Sequence, residues 1–325
     1  MILVTGASGL LGSKICKSLA NEGHKVKALV RERSNLSLLD KPHENIDIVY
    51  GDILIPEEVA PNLNGVKVII HCAAVVSFTK SDKAEMDQVN VQGTAHLTNL
   101  AIEHNVEYFI HMSSVAAIGR GLGSQELNET SQWEDGKWNS NYAVSKRFAE
   151  LEVWRSIEEG LSAVILNPSV ILSDDSWSRS SGKLFKYIWD ENTFYSSGII
   201  NYVDIKDVIQ AVHTCLKVRP KSERFILNGG YTRYKIFFDE VARRFNKKAP
   251  TVKATRLFLQ IGWLIESLKS FISGKQPVIT RETINISRSE ISFDNSKAKK
   301  ELKINFTPLS ETLDATCASL TTKSF

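Results

Sequence analysis

The decapeptide NYAVSKRFAE, Asn141 to Glu150, sets a tyrosine and a lysine four residues apart at the start of a helix-like segment. That spacing puts Tyr142 and Lys146 on one face of the helix. A free phenol, with a pKa near ~10, is a poor acid–base group at neutral pH. An adjacent cation favours phenolate and lowers that value. Reaching ~7 takes about 3 units, or roughly 4 kcal/mol of differential stabilisation. The pair therefore reads in one of two ways. It is a proton donor beside the cation that tunes it, or an amphipathic helix with a lysine on its wet face. Upstream, the apolar run Tyr108–Met112 ends in Ser113 and Ser114. A serine there would hydrogen-bond a substrate oxygen and hold it in line.

The elements that would have to place these groups begin at residue 1. MILVTG is a short apolar run, and GASGLLGSKICKSLANEG follows it with Leu10, Leu11, Ile15 and Leu19 at helical spacing. Gly23 is the stop signal, and HKVKALV reads as a second strand. The unit is βαβ, opened by Gly6, Gly9 and Gly12. Gly6 permits the tight turn off the strand. Gly9 lets the backbone approach a diphosphate at the positive end of the helix. Gly12 lets helix and sheet pack closely. A glycine triplet between a strand and a helix is the setting of a dinucleotide site.

Further apolar runs at Val66–Ile70, Tyr108–Met112 and Ser162–Leu166 alternate with helix-like segments at Lys83–His104 and Asn141–Glu159. Such alternation predicts an α/β fold, a Rossmann-type doubly wound parallel sheet with a ligand at the carboxyl ends of its strands. The sheet is expected to recur at Gly198–Val218 and Arg224–Leu227. His71–Ala74 sets small residues just after a strand, so a cofactor ring could lie against bare backbone there. Cys72 is then a packing residue, and His111, inside an apolar strand, a core histidine.

Composition narrows the classes. Of 325 residues, 42 % are hydrophobic and 24 % charged, the mix of a soluble globular chain. A net charge of +3, with no long Lys/Arg block, does not suggest a nucleic-acid partner. Cys16, Cys72, Cys215 and Cys317 form no CxxC pair, and the histidines show no ligand spacing, so neither a disulfide framework nor a metal is expected. The apolar stretch Leu257–Ile272 carries Glu266 and Lys269 and is shorter than the ~20 residues of a spanning helix. It is expected to be a lid or packing helix. With no signal segment at the start, the expectation is a cytoplasmic protein without a membrane span.

The glycine spacing is GxxGxxG, and with the tyrosine and lysine it resembles the extended short-chain dehydrogenase/reductase family, in its NAD-dependent epimerase/dehydratase group. The likeness is carried by TGASGLLG at Thr5–Gly12, GDI at Gly51–Ile53, HCAA at His71–Ala74 and VNVQGT at Val89–Thr94. It continues through MSS at Met112–Ser114, YAVSK at Tyr142–Lys146, NPSVIL at Asn167–Leu172 and YVDIKDV at Tyr202–Val208. The pieces keep the family's order through about two thirds of the chain. Within the family they are most similar to the dihydroflavonol-4-reductase and 3β-hydroxysteroid-dehydrogenase branch. The resemblance implies a catalytic triad of Ser114, Tyr142 and Lys146. Ser114 is preferred to Ser113 because SVAAIG keeps the family's spacing. In this reading Tyr142 protonates a carbonyl oxygen as hydride arrives, and Lys146 also binds the nicotinamide ribose.

The implied cofactor set is Gly6, Ala7, Ser8, Gly9, Leu10, Leu11, Gly12, Arg31, Asp52, Ile53, Cys72, Ala73, Ala74 and Asn90, then Tyr142, Lys146, Asn167, Pro168, Ser169 and Val170. Asp52 would meet the adenine amino group, and Ile53 would pack on its ring. Val30 stands where an aspartate would bind the 2′-hydroxyl of NAD, and Arg31 follows it, as in VRERSN. A guanidinium can clasp a 2′-phosphate, so NADP is expected ahead of NAD. Arg33, Ser34 and Asn35 add phosphate donors. The dinucleotide domain is expected over 1–168 and 198–227, and a substrate lobe over 169–197 and 228–325. The loop Arg120–Ser140, with Trp133 and Trp138, would edge the substrate cleft.

The expected function is reduction of a ketone or aldehyde, or oxidation of a secondary alcohol. Two alternatives stand beside it. One is a nucleotide-sugar 4-epimerase, weakened because SGIINYVDIKDV lacks the family's diphosphate-gripping arginine. The other is a non-catalytic NADP sensor, which would not need the triad. Val115, Ala116 and Ala117 replace the acidic pair of the family's dehydratases, and Ser173, Asp174 and Asp175 replace its frequent Gly-Pro. The partner is a small-molecule substrate. A homodimer through the helices that begin near Lys83 and Asn141 is one family arrangement.

Overall fold

The structure is a computed structural model describing residues 1–39, 43–119, 126–136, 138–173, 177, 181–255, 282, 284 and 287–322. The stretch Leu257–Ile272 lies outside the described residues, as do Asp174, Asp175 and residues 120–125 and 137 of the long loop.

The first βαβ unit is β1 (Ile2–Thr5), α1 (Leu10–Asn21) and β2 (Val26–Val30), followed by β3 (Ile46–Tyr50) and the short α2 (Pro56–Val59). Next come β4 (Val68–His71), α3 (Lys83–Met86), α4 (Gly93–Glu103) and β5 (Tyr108–Met112). A short β6 (Glu126–Leu127) precedes α5 (Asn141–Glu158) and β7 (Ala163–Pro168). Seven strands form one parallel sheet, with β11 (Glu223–Leu227) at one edge and β3 at the other; β7, β5, β4, β1 and β2 lie between them in that order. The order reverses at β1, which pairs with both β2 and β4. A crevice opens at such a switch point, at the carboxyl ends of the strands.

Both faces of the sheet are apolar, as a parallel sheet covered on both sides requires. The strand period of two divides each run between them. Ile2 and Val4 face the cluster that holds Ile15 and Leu19 of α1, while Leu3 faces Leu97 and Val153 of α4 and α5. In β5, Tyr108, Ile110 and Met112 face the α1 side and Phe109 the other. This alternation fixes which side chains stand beneath the crevice.

Two expectations need correction. The segment Lys83–His104 is helical throughout but not one α-helix: Asp87–Gln92 forms a π-helical stretch between α3 and α4. The widened turn sets Asn90 inward, and such stretches recur at functional sites. Nor does the large sheet resume across 198–218. Here β10 (Ile199–Asp204) pairs with β8 (Val170–Leu172) and β12 (Gly230–Arg233) in a separate three-stranded sheet. The reason is topological. β10 pairs with β8, which follows directly on β7, and β11 then takes the free edge of β7. After β10, α7 (Ile205–Val218) returns to the α1 face. Residues 224–227 do lie in the large sheet, as expected.

The second core packs around the small sheet. Between β8 and β10 lie α6 (Gly182–Trp189) and β9 (Phe194–Tyr195). Phe185, Phe237 and Phe245 fill this core, the last two from α8 (Tyr234–Phe245). Leu313 and Leu320, on the helix Leu309–Thr322, close it. No helix among the described residues is long and apolar enough to cross a membrane.

Candidate active site

The glycine turn adopts the conformation its residue types demand. Gly6 has φ +64°, and a Cβ there would meet the Ala73 backbone nitrogen at 2.6 Å. A Cβ on Gly12 would sit 2.3 Å from the Gly6 carbonyl oxygen. Both contacts are with backbone, so neither position has room for a side chain. Gly9 is the N-cap of α1, and no side chain caps that helix. Its first-turn N–H groups, at the positive end of the helix dipole, point into the crevice end of β1.

A cleft runs along that switch point. Its lining includes Gly6, Ser8 and Gly9 from the turn, Arg31 and Ser34 beyond β2, Asp52 and Ile53 beyond β3, and Cys72, Ala73 and Ala74 beyond β4. All of them were named from the sequence, and the structure brings them to one cleft. Others of the expected set lie back from it. Ala7 is buried in the core, and Leu11 packs on the same cluster from the helix side. Asp52 is partly committed to its own loop: its Oδ1 accepts the Leu54 N–H at 2.9 Å. Ile53 packs against Gly93, where a Cβ would approach its Cδ1 to 2.6 Å. Cys72 stays a thiol at neutral pH, burial pushing it up to about 12.

Asn90 works at one remove. Its Oδ1 accepts from Val75 N at 2.7 Å, and its Nδ2 donates to Val75 O at 2.9 Å and Ser145 Oγ at 2.9 Å. With its donors and acceptor occupied, it clamps the loop after β4 against α5 instead of reaching for a ligand. His71 is neutral, drawn down to about 3 by burial, with Thr5 and Thr94 on its two ring nitrogens. Neither ring nitrogen of His111 has a hydrogen-bond partner among the described residues, and burial holds it well below the ordinary histidine range. That suits the core histidine expected there.

The three candidate catalytic residues come from the turn after β5 and the start of α5, which pack on one another. Ser114 lies two residues beyond β5 and caps a short 3₁₀ turn, its Oγ accepting from Ala116 N at 3.2 Å. Its hydroxyl lies on the Tyr142 side of the turn and favours the phenolate form of that residue. Ser140 caps α5 through the Ala143 N–H at 3.1 Å, which sets Tyr142 in the first turn. Lys146 is 2 % exposed, and its Nζ donates to Met112 O at 2.8 Å. Ser113 is turned to Glu150, its Oγ donating to Oε1 at 2.5 Å.

The electrostatics depart from the simplest reading of the spacing. Burial pushes Tyr142 up to about 12, with the Ser114 hydroxyl pulling the other way. Lys146 is itself drawn down to about 8, by burial first, with Glu150 opposing. The lysine's charge is directed at a backbone carbonyl, and desolvation of the phenolate outweighs it. Tyr142 is therefore a neutral acid throughout the physiological range.

The residues fit a dinucleotide. The turn allows close backbone approach, the helix end is uncapped, and two buried polar atoms near the crevice, Asn167 Oδ1 and Ser169 Oγ, have no partner among the described residues. The NAD dependent epimerase/dehydratase family model matches residues 2–230. The chain belongs to that family. As an epimerase/dehydratase-family member it is an enzyme, an NAD(P)-binding oxidoreductase by class, and the resemblance drawn from its motifs is borne out. It is similar to sterol demethylase protein B of Methylococcus capsulatus, 27 % identical over 92 % of each chain. It is similar also to a putative dihydroflavonol 4-reductase of Synechocystis sp., 28 % identical over 92 % of this chain and 88 % of that one. The crystal structure of gox2253 superposes with a TM-score of 0.84 at 31 % identity, covering 99 % of this chain and 98 % of that one.

Within this family frame, some contributors were missed in the sequence. Phe78 meets the Tyr142 ring edge-on, centroids 5.9 Å apart. Trp133, which the sequence did place in the loop expected at the cleft edge, packs over Gly119 just past the Ser114 turn, its Cε3 3.0 Å from where a Cβ would be. The signal for Gly93 was present as a glycine inside a helical run.

Proposed function

We propose that this enzyme is an NADP-dependent oxidoreductase that reduces a ketone or aldehyde, or oxidises the matching secondary alcohol, through Ser114, Tyr142 and Lys146. The observation that carries the reading is the packing of the Ser114 turn against α5, where the serine hydroxyl favours the Tyr142 phenolate, with Lys146 buried one turn on. A bound reduced nicotinamide would supply the hydride. Ser114 orients the carbonyl oxygen, and Tyr142, held neutral, gives that oxygen its proton. Lys146 stabilises the phenolate left behind and, with Asn167 and Ser169, would hold the nicotinamide end. The test is turnover in variants of these side chains, and the tyrosine variant is the most informative of them.

The preference for NADP rests on Arg31, exposed at the end of β2 and on the cleft lining with Ser34. A guanidinium–phosphate contact is worth about 1.5 to 3 kcal/mol, or roughly ten- to a hundredfold in affinity. Arg31→Ala is expected to weaken NADP by that factor and to leave NAD nearly unchanged, because NAD has no 2′-phosphate. Titration of both cofactors against both proteins checks this. Equal weakening of the two, or equal wild-type affinities, would make Arg31 a solvated loop residue.

A nucleotide-sugar 4-epimerase would use the same three side chains. The strand β10 and the residues before it carry no arginine to grip a diphosphate. Calorimetric titration of UDP- and GDP-sugars is expected to show no binding tighter than millimolar. Micromolar binding would promote the epimerase.

A further inference from the structure

One buried acid stands behind the candidate site and takes no part in the reaction just described. Glu150 is 0 % exposed and lies one helical turn beyond Lys146 on α5. Its Oε1 accepts from Ser113 Oγ at 2.5 Å and from Asn167 Nδ2 at 2.5 Å. Its Oε2 accepts from Arg224 NH1 at 3.3 Å. These donors stand at β5, β7 and β11, neighbouring strands of the large sheet. Asn167 Nδ2 also reaches the Ser114 carbonyl oxygen at 2.9 Å. One carboxylate thus fastens the helix that carries Tyr142 and Lys146 to the strand end that carries Ser114.

Packing alone does not account for a charge in this place. A buried ion pair replaced by apolar groups of similar volume is often neutral or stabilising. The charge does have a nearby target. Lys146 is faced by Tyr142 and Glu150 from its own helix, by His71 and Cys72 from the end of β4, and by His111 from β5. The two imidazoles are neutral, Cys72 is a thiol and Tyr142 a phenol at neutral pH. That leaves Glu150 as the anion acting on Lys146 among the described residues. Glu150 in turn is faced by Arg147 on its own helix and by Arg224.

We propose that Glu150 is a positioning residue whose carboxylate keeps Lys146 an ammonium at neutral pH and holds the Ser114 strand end against the Tyr142 helix. The directions agree: burial draws Lys146 down to about 8, and Glu150 opposes it. The inference rests on the proposed role of Lys146 beside the proton donor.

The test reads the lysine itself. Lysine side chains labelled with ¹³C are followed by NMR as pH is raised, and Lys146→Met identifies the signal. The wild-type midpoint is expected near 8. Glu150→Gln is expected to lower it by about one pH unit, the small end of the range for a nearby opposite charge. Glu150→Asp recovers part of the shift. A residue that only packed would change stability and leave the midpoint in place, so an unmoved or raised midpoint overturns the proposal. Should Glu150→Gln fail to fold, Arg224→Met serves. Removing the cation that competes for Glu150 moves the midpoint up, and an unmoved or lower value overturns the proposal. The two readings fail separately. Full activity in Tyr142→Phe would overturn the proposed function and leave the midpoint shift standing. An unmoved midpoint beside an inactive Tyr142→Phe overturns the role of Glu150 alone.

Discussion

Tyr142→Phe is expected to lower turnover by about 10²- to 10⁴-fold, the usual worth of general acid–base assistance, while NADP affinity persists. The substitution removes one hydroxyl. The ring keeps its edge-on contact with Phe78, and the glycine turn, some distance along the cleft, is untouched. What is lost is the proton that meets the developing alkoxide. Because burial holds the phenol near 12, wild-type reduction should show no loss of this acid across the neutral range. Any alkaline decline should instead set in near 8, as Lys146 loses its charge. Steady-state kinetics with cofactor titration separates the two quantities. A phenylalanine variant with full activity removes Tyr142 from the mechanism.

The second large effect is on stability and runs opposite to activity. The unfolded chain binds the Lys146 proton up to the ordinary value of 10.5, and the folded chain only up to about 8. Between those values the unfolded state holds more protons, so this group makes stability rise with pH across that window. At neutral pH the buried ammonium therefore costs about 3 kcal/mol. Methionine has a similar volume and no charge. Loss of the hydrogen bond to Met112 O returns about 1 kcal/mol of that. Lys146→Met is thus expected to be more stable than wild type by about 2 kcal/mol at pH 7. It should also lose most turnover and part of its NADP affinity. Urea unfolding at several pH values checks both the gain and the flattened slope. A variant less stable than wild type would make Lys146 a structural tie and not a cation kept at a cost for function.

What could be read from residue order was whatever depends on near neighbours. The glycine turn, the apolar strands and the helix carrying Tyr142 and Lys146 are local patterns, and each lies where its period and spacing predict. Gly6 could be placed because its backbone conformation is written in one residue type. The Glu150 knot could not, since Ser113, Asn167 and Arg224 lie 37, 17 and 74 residues away and meet only after the sheet forms. The acidity of Tyr142 was misjudged for a related reason. Spacing reports the lysine four residues on, but not how deeply both groups are desolvated. The strand at 199–204 was assigned to the large sheet because its apolar run looks the same in either sheet. Its partner is β8, a pairing that local sequence does not announce. Asn90 was legible as a site residue, but its use as a clamp on Val75 depends on a π-helical turn that no periodicity announces.

The central claim is that hydride leaves the cofactor for a carbonyl carbon and stays there. The direct measurement supplies NADPH bearing deuterium at the transferable position, together with a panel of ketones and aldehydes, and examines the released products by mass spectrometry. The account predicts a secondary or primary alcohol that carries one deuterium on the carbinol carbon, formed in step with loss of the reduced cofactor. Products without deuterium would contradict it, as would a sugar nucleotide epimerised while the cofactor stays bound and unchanged.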